Sequence, residues 1–156
     1  MGFVIIFFIA WLTIVVFTVM RKRLSLIENC FVYMVILVIN INWSWIVFEE
    51  LDRIIISTAP LKNTAFLIVR TIIVPLVIVG ALNIHGTFFS AKSWYIGILS
   101  VIVLSCVIAI GRYFDVLTYV HWSIVYDILY FMALHVIASV TLKFFQAIGR
   151  REVKAS

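Results

Sequence analysis

Residues 64–84 read TAFLIVRTIIVPLVIVGALNI, an apolar stretch interrupted by one arginine, Arg70, and one proline, Pro75. A helix that crosses the roughly 30 Å hydrocarbon core of a bilayer needs about 20 predominantly apolar residues, and this stretch has that length. An ionisable side chain at membrane depth is costly unless it meets a polar partner or water. The stretch therefore predicts a transmembrane helix that carries a buried charge close to a helix-disrupting proline.

The rest of the chain has the same apolar character. Its 156 residues are 65% apolar and 12% charged, whereas soluble domains are about 45–50% apolar and about 25% charged. Four further runs have spanning length and show none of the polar-apolar alternation of a membrane β-barrel. They cover residues 2–20, 30–48, 94–111 and 117–145. We expect one all-α domain, a bundle of five transmembrane helices, followed by a basic cytoplasmic tail at 146–156.

Basic residues are distributed unequally between the two ends of these spans. Loop 21–29, loop 85–93 and the carboxyl tail together carry eight basic residues, and the opposite side carries three. The eight are Arg21, Lys22, Arg23, Lys92, Lys143, Arg150, Arg151 and Lys154, and the three are Arg53, Lys62 and Arg112. Short loops rich in lysine and arginine favour the cytoplasmic side. We therefore predict an amino terminus outside and a cytoplasmic carboxyl terminus.

The net charge of +5 does not indicate nucleic-acid binding, because the basic residues form short clusters beside apolar runs. Such clusters are typical of contact with anionic lipid headgroups. The lipid bilayer is thus the expected partner. The isoleucine-rich composition and short loops favour the plasma membrane of a bacterium.

Two ionisable residues fall well inside predicted spans, Arg70 in the third and Asp127 in the fifth. Each lies roughly 9 to 14 Å from the outer end of its helix at 1.5 Å per residue. Since they share a depth and have opposite charge, we predict a charge-assisted contact between them. Pro75 cannot donate a hydrogen bond to the carbonyl of Thr71, so we expect a kink or hinge beside Arg70.

Other polar residues of the second and fifth spans fall near the same depth. Asn40 and Asn42 point about 200° apart on a helix, so both cannot face the same neighbour. We predict a polar pocket between the second, third and fifth helices that opens toward the outer face. Its candidate residues for ligand binding, ion binding or helix assembly are Arg70, Asp127, Asn40, Asn42, Tyr126, Tyr130 and Glu49, with Pro75 as hinge.

The sequence leaves three roles open for these residues. Polar side chains can hold transmembrane helices in register, or they can form a binding or transport site for a small ion or an anionic solute. The third possibility is an accessory subunit, or a homo-oligomer, whose polar faces meet another chain. A dry and fully hydrogen-bonded cluster favours assembly, whereas a wet cavity that reaches Arg70 favours a site.

Signatures of catalysis and of metal binding are absent from the sequence. There is no phosphate-binding glycine loop, no nucleophile elbow and no second carboxylate inside the spans to partner Asp127. The histidines, His85, His121 and His135, fall at different depths and in no metal-binding spacing, so haem or metal binding is a distant alternative. We expect no enzymatic activity, no cofactor and no metal site.

Overall fold

The computed structural model describes residues 1–51, 53–85 and 94–155 of the chain. These ranges contain the α-helices α1 (Gly2–Val19), α2 (Leu26–Trp45), α3 (Pro60–Ile68), α4 (Val74–His85), α5 (Trp94–Tyr113) and α6 (Ile124–Ala155). One π-helical segment, Ile46–Glu50, extends α2, and another, Val69–Ile73, joins α3 to α4. The helices α3 and α4 therefore form one continuous rod.

The prediction of five helices of spanning length is confirmed within the described residues. Several of the predicted boundaries are wrong. The second helix begins at Leu26 rather than at residue 30. The third predicted helix begins at Pro60 rather than at residue 64. Proline fits the first helical position, because the N–H that it lacks would have no partner within the helix there. The fifth helix begins at Ile124 rather than at residue 117, because the residues before it form a strand.

The described residues are mostly helical, as predicted, and they also form a small β-sheet that was not predicted. Strand β1 (Ile54–Ile56) pairs antiparallel with strand β2 (Leu117–Tyr119), and Ile54 lies opposite Tyr119. Strand β1 lies in the segment that follows the second helix. Its three consecutive β-branched residues favour an extended chain. Pairing with β2 gives hydrogen-bond partners to backbone groups that are not part of a helix. The sheet marks one end of the bundle, called the strand end below.

The turn between α5 and β2 has the hydrogen bonds of a Schellman motif. The Asp115 N–H donates to the Arg112 carbonyl at 3.0 Å, and the Val116 N–H donates to the Gly111 carbonyl at 2.9 Å. Asp115 has a φ of 51°, the left-handed conformation that this position requires and that glycine usually supplies. The turn directs the chain from α5 into β2.

Substitutions at Asp115 test this turn. Because a Cβ in the left-handed region costs about 1–2 kcal/mol and aspartate tolerates that region better than alanine, we expect Asp115→Ala to lower the free energy of unfolding. Asp115→Gly should be more stable than Asp115→Ala by about 1 kcal/mol. Reversible unfolding in detergent micelles measures the difference. An alanine variant as stable as the glycine variant would contradict the assignment.

The α3–α4 rod forms the centre of the bundle. In its most apolar window 56% of the residues are buried, against 17% in α1. Its side chains Ile73, Ile78 and Val79 are fully buried, and the rod packs against α1, α2, α5 and α6. Any irregularity in this rod is therefore transmitted to the helices around it.

The end opposite the sheet holds residues 21–25 and is called the basic end. Fully buried Asn83 of α4 donates to Asn29 Oδ1 of α2 at 2.6 Å. Its own Oδ1 accepts from the backbone N–H groups of Arg23 and Leu24, each at 3.2 Å. The loop between α1 and α2 is thereby fixed to the central rod.

Candidate functional site

The central rod loses its regular hydrogen bonds just before Pro75. The Val74 N–H donates to the Val69 carbonyl, five residues earlier, so it does not serve the Arg70 carbonyl. Pro75 has no N–H to donate to Arg70 in the π pattern or to Thr71 in the α pattern. A carbonyl that is buried without a hydrogen-bond donor is costly. The rod therefore needs donors from its neighbours at this level.

Two side chains of α2 supply those donors. Asn40 Nδ2 donates to the Arg70 carbonyl at 2.6 Å, and Tyr33 Oη donates to the Thr71 carbonyl at 2.8 Å. The sequence indicates that Pro75 frees the Thr71 carbonyl, but it does not indicate Tyr33 as the donor. Helix α2 thus compensates for the disruption of the rod.

The Asn40 amide also reaches α6. Tyr130 Oη donates to Asn40 Oδ1 at 2.7 Å, and Asn40 is only 3% exposed. The Trp43 ring stacks on the Tyr130 ring, with centroids 4.9 Å apart and planes 8° apart, and so fixes its orientation. The Asn40 bridge, made by Asn40, Tyr130 and the Arg70 carbonyl, links α2, the central rod and α6.

The carboxylate of Asp127 is bound by residues that precede α6. Its Oδ1 accepts from Trp122 Nε1 at 2.9 Å, and its Oδ2 accepts from Tyr119 Oη. Asp127 is 9% exposed. The guanidinium of Arg112 lies 4.1 Å from the centroid of the Tyr119 ring, so the nearby positive charge comes from α5.

The predicted contact between Arg70 and Asp127 is wrong. Within the described residues the hydrogen bonds of the carboxylate come from Tyr119 and Trp122, and no ion pair joins it to Arg70. The prediction assumed that the fifth helix begins at residue 117. In that case Tyr119 and Trp122 would belong to the same helix as Asp127. The strand and loop instead fold both donors back over Asp127.

Tyr119 lies outside the candidate spans, and its protonation state matters for Asp127. Burial, followed by its hydrogen bond to Asp127, raises the pKa of the Tyr119 phenol well above its usual range. The phenol therefore keeps its proton near neutral pH, and Asp127 retains this donor.

A small cavity of about 50 Å³ lies where these groups meet. Arg70 and Asp127 both line it, although they are not ion-paired, and the Arg70 guanidinium lies 5.5 Å from the Phe66 ring centroid. The polar and aromatic residues around the cavity are Asn40, Trp43, Ser44, Phe48, Phe66, Arg70, Trp122, Asp127, Tyr130 and Phe131. Its volume suits one or two water molecules, whereas organic ligands occupy about 300–1,000 Å³.

Two other predicted site residues, Asn42 and Tyr126, are not among the described residues that line this cavity. Asn42 is exposed and donates to the Val38 carbonyl of its own helix at 2.8 Å. Tyr126 is 52% exposed and contacts the Trp122 ring. The Glu49 side chain lies outside the described residues, and Pro75 occupies the second position of α4. Asn40, Arg70, Tyr130 and Asp127 are the predicted residues that come together, and they form the polar cluster discussed below.

Tyr119 also lines an open recess at the strand end. This recess of about 360 Å³ is lined by Arg112, Asp115, Thr118 and Tyr119, among others. Tyr119 therefore borders this recess on one side and binds Asp127, which borders the inner cavity, on the other. The Tyr119 side chain thus connects the recess to the carboxylate.

Some buried polar contacts were not predicted from the sequence. Ser100 Oγ of α5 lies 2.6 Å from His135 Nε2 of α6, and His135 is 2% exposed. The pair of Asn29 and Asn83 at the basic end was also missed. A polar residue among apolar ones is the available signal, but it does not identify the partner. Among the described residues no group of three or more histidine, cysteine or acidic side chains could hold a metal ion.

Comparison of the chain with protein-family models, with curated proteins and with solved structures finds no match. The polar cluster is therefore interpreted from its own geometry.

Replacing Asn40 tests the bridge. Asn40→Ala removes the donor to the Arg70 carbonyl and the acceptor for Tyr130, and each buried group left unsatisfied costs about 1–3 kcal/mol. We expect the free energy of unfolding in lipid bicelles to fall by roughly 2–3 kcal/mol. Asn42→Ala, on an exposed face of the same helix, is the matched control and should change it by less than about 0.5 kcal/mol. Equal effects of the two variants would contradict the bridge.

Proposed function

We propose that this chain is a non-enzymatic, multi-pass protein of a bacterial plasma membrane, with its strand end outside and its basic end in the cytoplasm. The helices carry large exposed apolar side chains, among them Phe7, Trp11, Val38 and Leu99. Such a surface is unfavourable in water and is covered by lipid in a bilayer. The orientation is supported by the excess of basic residues on one side.

Within this protein, the role that the geometry supports best for the polar cluster is helix assembly. One observation carries the proposal: the Asn40 amide donates to a carbonyl of the central rod and accepts from Tyr130 of α6. Backbone groups in lipid must be satisfied by the protein itself. A single side chain that does this between three helices fixes their register, and the size of the cavity beside it fits a nearly dry contact.

A second candidate role is proton exchange at Asp127. The hydrogen bond between Tyr119, which borders the recess at the strand end, and the Asp127 carboxylate, which borders the inner cavity, favours this role. Carboxylates inside membrane spans are common in proton relays, and a proton needs no more room than one water molecule. An organic anion at Arg70 is disfavoured by a cavity of about 50 Å³.

The two roles differ in what Asp127 does as pH changes. If the cluster serves assembly, its carboxyl keeps one protonation state between about pH 5 and 8, and infrared spectra of the protein in lipid show no titrating carboxyl band that is lost in Asp127→Asn. Asp115 is an exposed acidic residue that lines the recess. Asp115→Asn is therefore the matched control, because it removes an infrared band that comes from an exposed carboxylate.

The same assembly role predicts that Asp127 and Tyr119 act as one unit. Asp127→Asn and Tyr119→Phe should each lower the free energy of unfolding, and the double variant should lose less than the sum of the two, with a coupling of about 0.5–3 kcal/mol.

In the infrared experiment, a carboxyl band that titrates between about pH 5 and 8 and disappears in Asp127→Asn would contradict a purely structural role and favour proton exchange.

An accessory subunit or a homo-oligomer is the alternative arrangement for a chain of this size. The small residues Ser105 and Ala109 lie along a groove between α5 and α6, and small residues permit close approach of membrane helices. Co-purification in a mild detergent tests it: a stable partner or a second copy supports the alternative, and a monomer excludes it.

A further inference from the structure

An apolar groove runs between α1, α4 and α5 toward the basic end of the bundle. Its volume is about 380 Å³. It is lined among others by Phe17 of α1, Met20 just after α1, Gly80 and Ile84 of α4, and Leu99 of α5. Ile84 and Leu99 are more than half exposed, so the groove is open at the side of the bundle. This surface plays no part in the polar cluster.

The absence of a side chain at Gly80 keeps the groove open. A Cβ added there would lie 3.9 Å from both Met20 Sδ and Phe17 Cδ2, which is ordinary van der Waals contact. A methyl group would therefore fit, but a longer side chain would extend into the space between α1 and α4.

Three consecutive basic residues lie at the end of this groove. Arg21, Lys22 and Arg23 follow Met20 directly, and all three are exposed. The Lys22 ammonium lies 4.8 Å from the centroid of the Phe17 ring, and Phe17 lines the groove. The backbone N–H of Arg23 donates to buried Asn83, so the loop that presents these charges is held against α4.

We propose that this groove binds one acidic phospholipid, with an acyl chain against Phe17 and Gly80 and its anionic headgroup at Arg21, Lys22 and Arg23. The proposal rests on the membrane location proposed above. An apolar groove at the side of a membrane protein suits an acyl chain, and the basic residues at its end complement a phosphate-bearing headgroup.

The preference should come from the headgroup rather than from the acyl chain. Surrounding lipid tails are as apolar as the groove, so transfer of a chain into it gives little gain. A basic residue near an anionic membrane surface strengthens binding by about fivefold. Two or three such residues acting together predict a preference for acidic over zwitterionic lipid of at least about tenfold.

Native mass spectrometry of the full chain, released from nanodiscs of phosphatidylglycerol and phosphatidylcholine in equal amounts, tests the proposal. We expect one retained phosphatidylglycerol per chain, favoured over phosphatidylcholine by at least about tenfold. Lys22→Gln with Arg23→Gln should lower the preference to about fivefold or less, because Arg21 is then the one basic residue of the three that remains. Arg53→Gln with Lys62→Gln removes the same charge at the strand end and should leave the preference unchanged.

A second pair of variants tests the groove separately from the charges. Gly80→Leu places a side chain where the acyl chain would lie, so it should reduce retention of the lipid while all three basic residues remain. Ala109→Leu, a small residue in the groove between α5 and α6, is its control and should retain the lipid. Circular dichroism and the unfolding temperature identify any variant that fails to fold, and the charge variants then decide the question alone.

The outcomes separate this proposal from the membrane assignment. Equal retention of both lipids by a chain that enters nanodiscs, or a preference that Lys22→Gln with Arg23→Gln leaves undiminished, overturns the lipid site and leaves the membrane proposal standing. Failure of the unmodified chain to enter nanodiscs overturns both.

Discussion

Two backbone carbonyls of the central rod, those of Arg70 and Thr71, determine how its neighbours must be arranged. Pro75 removes one donor and the π-helical segment redirects another, in a stretch apolar enough to cross a membrane. In the bilayer location proposed above, hydrocarbon would supply no replacement. Asn40 and Tyr33 of α2 lie at the right height to donate to the two carbonyls, so the disruption in one helix becomes a specific contact with another.

That contact organises the rest of the polar cluster. The Asn40 amide makes both contacts: its Nδ2 donates to the Arg70 carbonyl of the rod, and its Oδ1 accepts from Tyr130. Helix α6 is thereby held at the level where Asp127 borders the inner cavity. The sheet and the loop before α6 then bring Tyr119 and Trp122 onto the carboxylate. Asp127 is stabilised from the strand end, and Arg70 meets it only across a small cavity.

Much of this could be predicted from the sequence, because hydropathy and length determine spans almost independently of packing. The depths of Asn40, Arg70, Tyr130 and Asp127 also follow from counting residues along helices. Their partners do not, since a hydrogen bond depends on rotation and on the segments between helices. Tyr119 could be assigned to Asp127 only after β2 was known, and β2 requires a partner more than 60 residues earlier in the chain. Tyr33 carries no sequence signal that separates it from an interfacial tyrosine.

The most direct test of the central claim is a double-mutant cycle between Pro75 and Asn40, with the free energy of unfolding measured in bicelles. Pro75→Ala restores a backbone N–H to the rod and so offers its carbonyls a helical donor. If Asn40 compensates for the missing donor, Asn40→Ala should cost less in the Pro75→Ala background than in the unmodified chain, with a coupling of about 1 kcal/mol. Strictly additive effects would mean that the amide does not serve the disrupted helix, and the account would be wrong.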